Sequence, residues 1–232
     1  MPNLPVRTPE PQEAIAEDFL RRRVKSELRK RMRALRKTTP AEACAERSAR
    51  IVESLLAVPR VAGARTVALF WPIEDRHEVD LRPLDAALRA KGARVAYPAL
   101  AEAGDMVFHF VADPARMQER GHMFAEPGAD DPLVGGDGLD LAELDVIVVP
   151  ALAIDPSGHR IGYGAGYYDR ALARTRASLT LSIGVAYDFQ LVSEVPVTAG
   201  DVAVYLVVTD RRVLESQERE VTASPFATEA PA

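Results

Sequence analysis

A run of apolar, mostly β-branched residues at 144–150 stands directly before a loop with three alternating glycines. The run contains Val146, Ile147, Val148 and Val149, a composition typical of a strand buried on both faces of a parallel sheet. The residues from 167 onward predict a helix. Because the order is strand, glycine loop, helix, the pattern favours an α/β fold over an all-α or all-β one.

The glycine loop, residues 155–170, is the strongest functional signal. Its glycines allow positive φ and bring bare N–H groups toward an anion, while the N-terminus of the following helix faces the same place. Asp169, one turn into that helix, could hold a divalent cation. The spacing G-x-G-x-G fits neither the Walker pattern nor the dinucleotide fingerprint. We therefore predict a phosphate-binding loop, with a purely structural tight turn as the alternative.

Composition limits the class of protein. The chain has 232 residues, 47% apolar content and a net charge of −5, which argue for one packed domain and against nucleic acid as the main partner. The one cysteine, Cys44, excludes a disulfide within the chain and a thiolate metal cluster. No apolar run is long enough to cross a membrane. We expect a cytoplasmic protein without a membrane partner, either a monomer or a small homo-oligomer.

The chain alternates helical and strand patterns between two polar ends. We expect disordered ends at 1–12 and 215–232 and a single α/β domain at 13–214. Helical spacing at 13–37 and a second helix capped by Thr39 and ending at Ala57 predict an N-terminal helical pair. Further helices are expected at 81–91 and 167–176, strands at 66–70, 94–97, 106–111, 145–149, 181–185 and 202–208, and a loop region at 116–139. The predicted fold is an open, mostly parallel sheet flanked by helices, Rossmann-like and three-layered.

Ligands of such sheets bind beyond the carboxyl ends of the strands. Trp71 and Glu78 follow the first predicted strand and suit a flat, nitrogen-rich ring, although acids also favour helix N-termini. Lys25 and Arg29 lie one helical turn apart and could clamp phosphates, or form an ordinary surface pair. Asp201, before the last predicted strand, is a candidate second cation ligand or a turn residue.

Together these pieces resemble the 5-formyltetrahydrofolate cyclo-ligase family. The resemblance runs from about residue 24 to 210 and rests on four segments: Lys25-x-x-Leu28-Arg29, Glu78-Val-Asp80, Glu126-Pro127 and the glycine loop with its Gly-Tyr-Tyr-Asp-Arg end. It implies an enzyme that uses Mg-ATP to convert 5-formyltetrahydrofolate to 5,10-methenyltetrahydrofolate. ADP and phosphate would be released, and a phosphorylated formyl group would be the intermediate.

The resemblance also implies roles for individual residues. ATP would be held by Lys25, Arg29, Arg160, Ile161, Gly162, Tyr163, Gly164, Ala165, Gly166, Tyr167 and Tyr168. The folate would be bound by Trp71, Glu78, Tyr163, Gly164, Ala165, Gly166 and Tyr167, magnesium by Asp169 and Asp201, and the catalytic residues would be Lys25, Arg160 and Tyr167. Some members carry Arg and Lys where this chain has Tyr163 and Ala165, and the surroundings of Gly200 and Tyr205 also depart from the family pattern.

Two alternatives remain open at the level of the sequence. The chain could be a paralogue that keeps the nucleotide loop and acts on another pterin or phosphorylated compound. It could also be a catalytically silent protein that binds folate or nucleotide. Both carboxylates predicted for the metal, Asp169 and Asp201, are present, which favours an active enzyme.

Overall fold

The structure, a computed structural model, describes residues 11–101, 104–120, 124–128, 130–134, 138–175 and 179–216. The helices in this part of the chain are α1 (Pro11–Thr38), α2 (Ala41–Ala57), α3 (Pro59–Ala62), α4 (Arg82–Ala90) and α5 (Tyr167–Arg174). The strands are β1 (Thr66–Ala68), β2 (Arg94–Leu100), β3 (Met106–Phe110), β4 (Met117–Arg120), β5 (Phe124–Pro127), β6 (Val146–Pro150), β7 (Ala153–Ile154), β8 (Arg160–Ile161), β9 (Leu181–Val185), β10 (Leu206–Val208) and β11 (Val213–Glu215). Most of the two ends expected to be disordered lies outside the described residues.

Seven strands form the main sheet, in the order β11-β10-β9-β6-β1-β2-β3. The five inner strands are parallel, whereas β3 and β11 at the edges are antiparallel to their neighbours. In the register of the centre, Val67 of β1 pairs with Val95 of β2 and with Val146 of β6. From β1 the chain moves outward to β2, and from β6 it moves the other way to β9 and β10. The carboxyl ends of β1 and β6 therefore flank the switch point where such sheets bind ligands.

The core lies on both faces of this sheet. Val146 and Val148 of β6 point to the face covered by α2 and α4, while Ile147 and Val149 point to the face covered by α5. All four side chains are buried, and the full burial of each contributes about 1.5–3 kcal/mol. This explains why β6 reads as a continuous apolar run, and it confirms the predicted mostly parallel, three-layered α/β fold.

Helix α1 is a 28-residue helix whose inner face carries both polar and apolar residues. Leu20 and Val24, two of the apolar residues that predicted this helix, are exposed. Lys25, Met32 and Arg36 are buried instead. No helix in the described part of the chain is long and apolar enough to cross a membrane. The inner face of α1 therefore carries side chains for the site as well as for the core.

Two local predictions were wrong. Thr39 does not cap α2, whose N-cap residue is Pro40; its hydroxyl donates to the carbonyl of Leu35 at 2.9 Å and so completes the end of α1. The region 116–139, expected as loop, contains the antiparallel pair β4–β5. The strand ladder there satisfies the backbone despite many turn-forming residues.

Several boundaries also differ from expectation, three of them near the end of the domain. Helix α5 ends at Arg174, two residues early, and β10 begins at Leu206, four residues late. The sheet continues past β10 into β11, whose last residue, Glu215, falls in the end that was expected to be disordered. The start of β10 depends on its register with β9, in which Leu206 pairs with Ile183. An apolar run in the sequence does not reveal that register.

Candidate active site

A cavity of about 690 Å³ lies beyond the carboxyl end of β6. It is lined by residues 162–170 of the glycine loop and α5, by residues 198–201, and by Lys25 and Arg29 of α1. We call it the main cavity. Segments from the start, middle and end of the chain therefore meet at the position that the sheet topology marks for a ligand.

The glycine loop adopts a backbone that side chains disfavour. Gly164 has φ 113° and Gly166, the N-cap residue of α5, has φ 69°. Arg29 packs beside this backbone, since its guanidinium would lie 3.6 Å from a Cβ placed on Gly164, and its Nε donates to the carbonyl of Gly162 at 2.9 Å. The loop therefore lies between a cationic side chain and the N-terminus of α5, a setting that favours an anion.

Arg160 anchors the base of the cavity. Its buried guanidinium donates to the carbonyl of Val202 at 2.7 Å and to Oδ1 of Asp169 at 3.1 Å. The backbone N–H of Val202 donates to the same oxygen of Asp169 at 3.2 Å. Burial lowers the pKa of Arg160, and the nearby Asp169 carboxylate opposes that effect. Asp169 is thereby held in a fixed orientation beside a buried cation.

Lys25 and Asp201 contact each other across the cavity. The Lys25 ammonium forms an ion pair with Oδ2 of Asp201 and donates to Oγ1 of Thr198 at 2.8 Å. The N–H of Thr198 donates to the same carboxylate oxygen at 2.7 Å. Burial opposes ionisation of Asp201, but the hydrogen bonds from Lys25 and Thr198 prevail and lower its pKa. Lys25, which was predicted to bind ATP, and Asp201, which was predicted to bind magnesium, therefore form an ion pair with each other.

The donor set of the cavity is compatible with a divalent cation. Oδ2 of Asp169 and Oδ1 of Asp201 accept no hydrogen bond from the described residues, so one oxygen of each carboxylate is available. No cluster of three or more His, Cys, Asp or Glu side chains suited to a metal occurs among the described residues. Two carboxylates with the remaining positions left to water and phosphate match the usual coordination of Mg²⁺.

Glu78 lies behind the glycine loop and reaches it through Tyr163. Its Oε1 accepts the hydroxyl of Tyr163 at 2.7 Å, and its Oε2 accepts the N–H of Ile73 at 3.1 Å. The guanidinium of Arg36 lies 3.6 Å from Oε1 and also donates to the Tyr163 hydroxyl. Burial and the Glu78 charge raise the pKa of Tyr163, so the phenol remains the donor. Tyr163 lines the main cavity, whereas Glu78 does not.

Two other predicted site residues lie outside the lining of the main cavity. Trp71 packs edge-on against Tyr97 of β2, with ring centroids 5.6 Å apart and an interplanar angle of 74°. Ile161 is buried under α1 together with Met32 and Leu152. The structure therefore gives Trp71 and Ile161 packing contacts, while Tyr167 and Tyr168 line the main cavity.

Several cationic residues at the site were not among the site residues assigned from the sequence. Arg22, Arg76 and Arg170 line the main cavity, and Arg36 holds Tyr163 beside it. The presence of Arg36 at the site could have been inferred from the sequence. Arg36 follows Arg29 by seven residues on a helix, so both side chains fall on the same face. No sequence signal points to Arg76, which belongs to a short turn after β1.

The parallel sheet, the glycine loop and the lining of the main cavity define an α/β protein with a cationic cavity at its switch point. The chain belongs to the 5-formyltetrahydrofolate cyclo-ligase family, whose model matches residues 21–210. It is accordingly an enzyme, a ligase, and the family supports 5-formyltetrahydrofolate cyclo-ligase activity and a role in one-carbon metabolism.

Individual relatives agree with this assignment. The 5-formyltetrahydrofolate cyclo-ligase of Escherichia coli K12 is 34% identical over 190 residues, which cover 81% of this chain and 99% of that protein. The 5,10-methenyltetrahydrofolate synthetase of Aquifex aeolicus has a similar structure, with a TM-score of 0.71, 30% identity, and coverage of 89% of this chain and all of that one. The synthetase of Mycoplasma pneumoniae, with a TM-score of 0.60 and 22% identity over 80% of this chain and 98% of that one, shares the fold.

Proposed function

We propose that this enzyme uses Mg-ATP to convert 5-formyltetrahydrofolate to 5,10-methenyltetrahydrofolate, with release of ADP and phosphate. The observation that carries the proposal is the convergence, in one cavity, of a positive-φ glycine loop, the N-terminus of α5, the cations of α1 and two carboxylates. The family assignment supplies the substrate, and the cavity supplies the groups that an ATP-dependent ring closure needs.

The chemistry follows from the weakness of a formamide oxygen as a leaving group. We propose that this oxygen attacks the γ-phosphorus of ATP, so that a P–O bond forms while ADP departs. N10 of the folate then attacks the formyl carbon and the five-membered ring closes. Phosphate leaves with the former formyl oxygen, and the proton of N10 is released to phosphate or water. Such a sequence needs positioning and charge neutralisation more than a covalent nucleophile.

The residues divide into three groups in this proposal. Lys25, Arg29 and the loop from Arg160 to Tyr168 bind the phosphates, with Lys25, Arg160 and Tyr167 in contact with the reacting groups. Asp169 and Asp201 would hold Mg²⁺, which when bound would neutralise phosphate charge. The folate would lie against Tyr163 and Tyr167. Glu78 would support it by holding Tyr163, while a direct contact of Trp71 with the folate stays a prediction.

The direct test is the absorbance band of 5,10-methenyltetrahydrofolate during incubation of the purified protein with 5-formyltetrahydrofolate. We expect an increase that requires both ATP and Mg²⁺ and that matches ADP release in stoichiometry. A reaction without ATP and a reaction with excess chelator serve as controls. No increase from protein whose circular dichroism shows it folded would exclude the proposal, and would favour a paralogue or a silent binder.

A further inference from the structure

Four apolar residues of α1 form a stripe along one face of the helix, and we call this set the outer stripe. Its members follow one another at intervals of four or seven positions: Leu20, Val24, Leu28 and Leu35. Leu20 is 57% exposed, Val24 47% and Leu35 40%, whereas Leu28 is partly buried. The four residues do not line the main cavity. Apolar side chains exposed in sequence along one helix face indicate a surface that another protein surface covers.

Two grooves border the outer stripe. A groove of about 810 Å³ lies between α1 and the segment 192–197, where Val192, Pro196 and Val197 add apolar surface. A groove of about 520 Å³ is lined by residues of α1: Leu20, Arg23, Val24, Glu27, Leu28 and Arg31. Val24 and Leu28 line both grooves and so form the ridge between them. A ridge between two grooves is the shape that packs against a second helix of the same kind.

The ends of the outer stripe carry opposite charges. Glu17 precedes Val24 by seven residues and Arg31 follows it by seven, so both project within about 20° of the direction of Val24. Both side chains are exposed. Glu17 forms an ion pair with Arg21 inside α1, and exposed pairs of this kind rearrange at little cost.

This charge order makes the outer stripe complementary to an antiparallel copy of itself. If Val24 of one helix lies against Val24 of a second copy, Leu20 is level with the second copy's Leu28. Glu17 is then level with the second copy's Arg31, and the same contact recurs at the other end. In a parallel arrangement each glutamate would be level with the other glutamate, and like charges repel. Self-complementarity of this kind is the property of a two-fold interface between identical chains.

The outer stripe also begins outside the region that the family shares. The family model matches residues 21–210, whereas α1 begins at Pro11. Glu17 and Leu20 therefore belong to a part of the helix that precedes the match. Their exposure on the face of Val24 is not explained by the fold or the site common to the family.

We propose that the outer stripe binds the outer stripe of a second copy of this chain, which gives an antiparallel dimer with its two-fold axis at Val24. Leu20, Val24 and Leu28 of each copy fill the grooves of the other, and Glu17 pairs with Arg31 at each end. The proposal is independent of the reaction, because the outer stripe does not line the main cavity. One helix face and a short segment from each copy make a small interface, so we expect association in the micromolar range.

Sedimentation equilibrium of the full chain, over about a hundredfold range of protein concentration, tests the proposal. Val24→Glu places a charge at the centre of the outer stripe. Its matched control is Val213→Glu, at another exposed valine, which lies on β11. Glu17→Arg, Arg31→Glu and the double variant Glu17→Arg/Arg31→Glu test the direction of the helices. Circular dichroism confirms that each variant is folded.

For the wild type and for Val213→Glu we expect the same equilibrium between monomer and dimer. Val24→Glu should raise the dimer Kd by about tenfold or more. Glu17→Arg and Arg31→Glu should each raise it about three- to tenfold, because two attractive pairs become repulsive, and the double variant should restore it. A wild type that stays monomeric throughout, a dimer unaffected by Val24→Glu, or a double variant no better than the single ones would overturn the proposal.

Discussion

The hydroxyl of Tyr163 donates a 2.7 Å hydrogen bond to the carboxylate of Glu78. This bond joins the glycine loop after β8 to the segment that follows β1, so it connects the two halves of the sheet at the switch point. Arg36 of α1 adds a third element to the same contact. The position of the Tyr163 side chain at the main cavity therefore depends on a carboxylate that does not itself line the cavity.

Replacement of Glu78 by Gln is expected to raise the Kd for 5-formyltetrahydrofolate about tenfold and to leave the Kd for ATP nearly unchanged. The physical reason is the loss of a charge-assisted hydrogen bond to Tyr163, which lines the folate side of the proposed site. Calorimetric titration with each ligand measures both effects. Glu143→Gln, at an exposed carboxylate before β6, is the control. A normal folate titration would exclude a role for Glu78 in folate binding.

Replacement of Gly164 by Ala is expected to weaken ATP binding and lower stability by about 1–2 kcal/mol. An alanine at φ 113° is strained whatever the space around it, so the loop must move to accept the side chain. Gly162→Ala is a matched control, because Gly162 has no positive φ and a Cβ there would meet no atom within 4 Å. Thermal unfolding and ATP titration of both variants would reveal the difference, and equal behaviour would contradict it.

Asp201 is expected to stabilise the fold at neutral pH and to lose this effect in acid. Its folded-state pKa lies below the ordinary value of 3.8, so the stabilisation is complete above about pH 4 and is lost as the pH falls through the folded-state value. Asp201→Asn should lower the unfolding free energy by about 1 kcal/mol at pH 7 and by less at pH 3. Urea unfolding at both pH values measures this.

The control for that experiment is Asp18→Asn. Asp18 forms an ion pair with Arg22 on the surface of α1, and pairs of this kind contribute little. We expect its replacement to change the unfolding free energy only slightly at either pH. A loss for Asp201→Asn that is the same at pH 7 and pH 3 would show that the charge of Asp201 is not responsible.

Asp169→Asn is expected to lower kcat by about 100-fold or more while the protein stays folded. The amide keeps an oxygen that can accept from Val202 and Arg160, but it removes the negative charge proposed to hold Mg²⁺. Initial rates at several magnesium concentrations, with circular dichroism as a check on folding, test this. Asp169→Glu should recover part of the activity at high magnesium. Unchanged kcat in Asp169→Asn would refute the metal assignment.

The architecture and the position of the loop could be read from local patterns. The run from Val146 to Val149 predicted a central parallel strand because its side chains must be apolar on both faces of the sheet. Gly164 and Gly166 predicted a loop backbone that only glycine adopts easily, and the structure gives both residues positive φ. Each of these signals depends on neighbours along the chain, which is why the sequence was sufficient.

Contacts between distant segments could not be read in the same way. Trp71 beside several acids indicated a surface for a ligand, yet its ring packs on Tyr97 because the turn after β1 directs it to the core. The same reasoning placed Glu78 on the ligand. In the structure its Oε1 accepts from Tyr163 and lies 3.6 Å from Arg36, and its Oε2 accepts from Ile73. The sequence gives the chemical character of such residues. Their contact partners depend on how strands and helices that are far apart in the chain pack together.

The ion pair of Lys25 with Asp201 spans 176 positions of the chain. Contacts at such separation form late in folding, since a long segment must be ordered before its ends can meet. During synthesis, α1 leaves the ribosome long before the segment that holds Asp201, so this side of the main cavity stays incomplete until nearly the whole domain has emerged. A chain that ended before Asp201 would therefore lack the partner that Lys25 contacts in the main cavity.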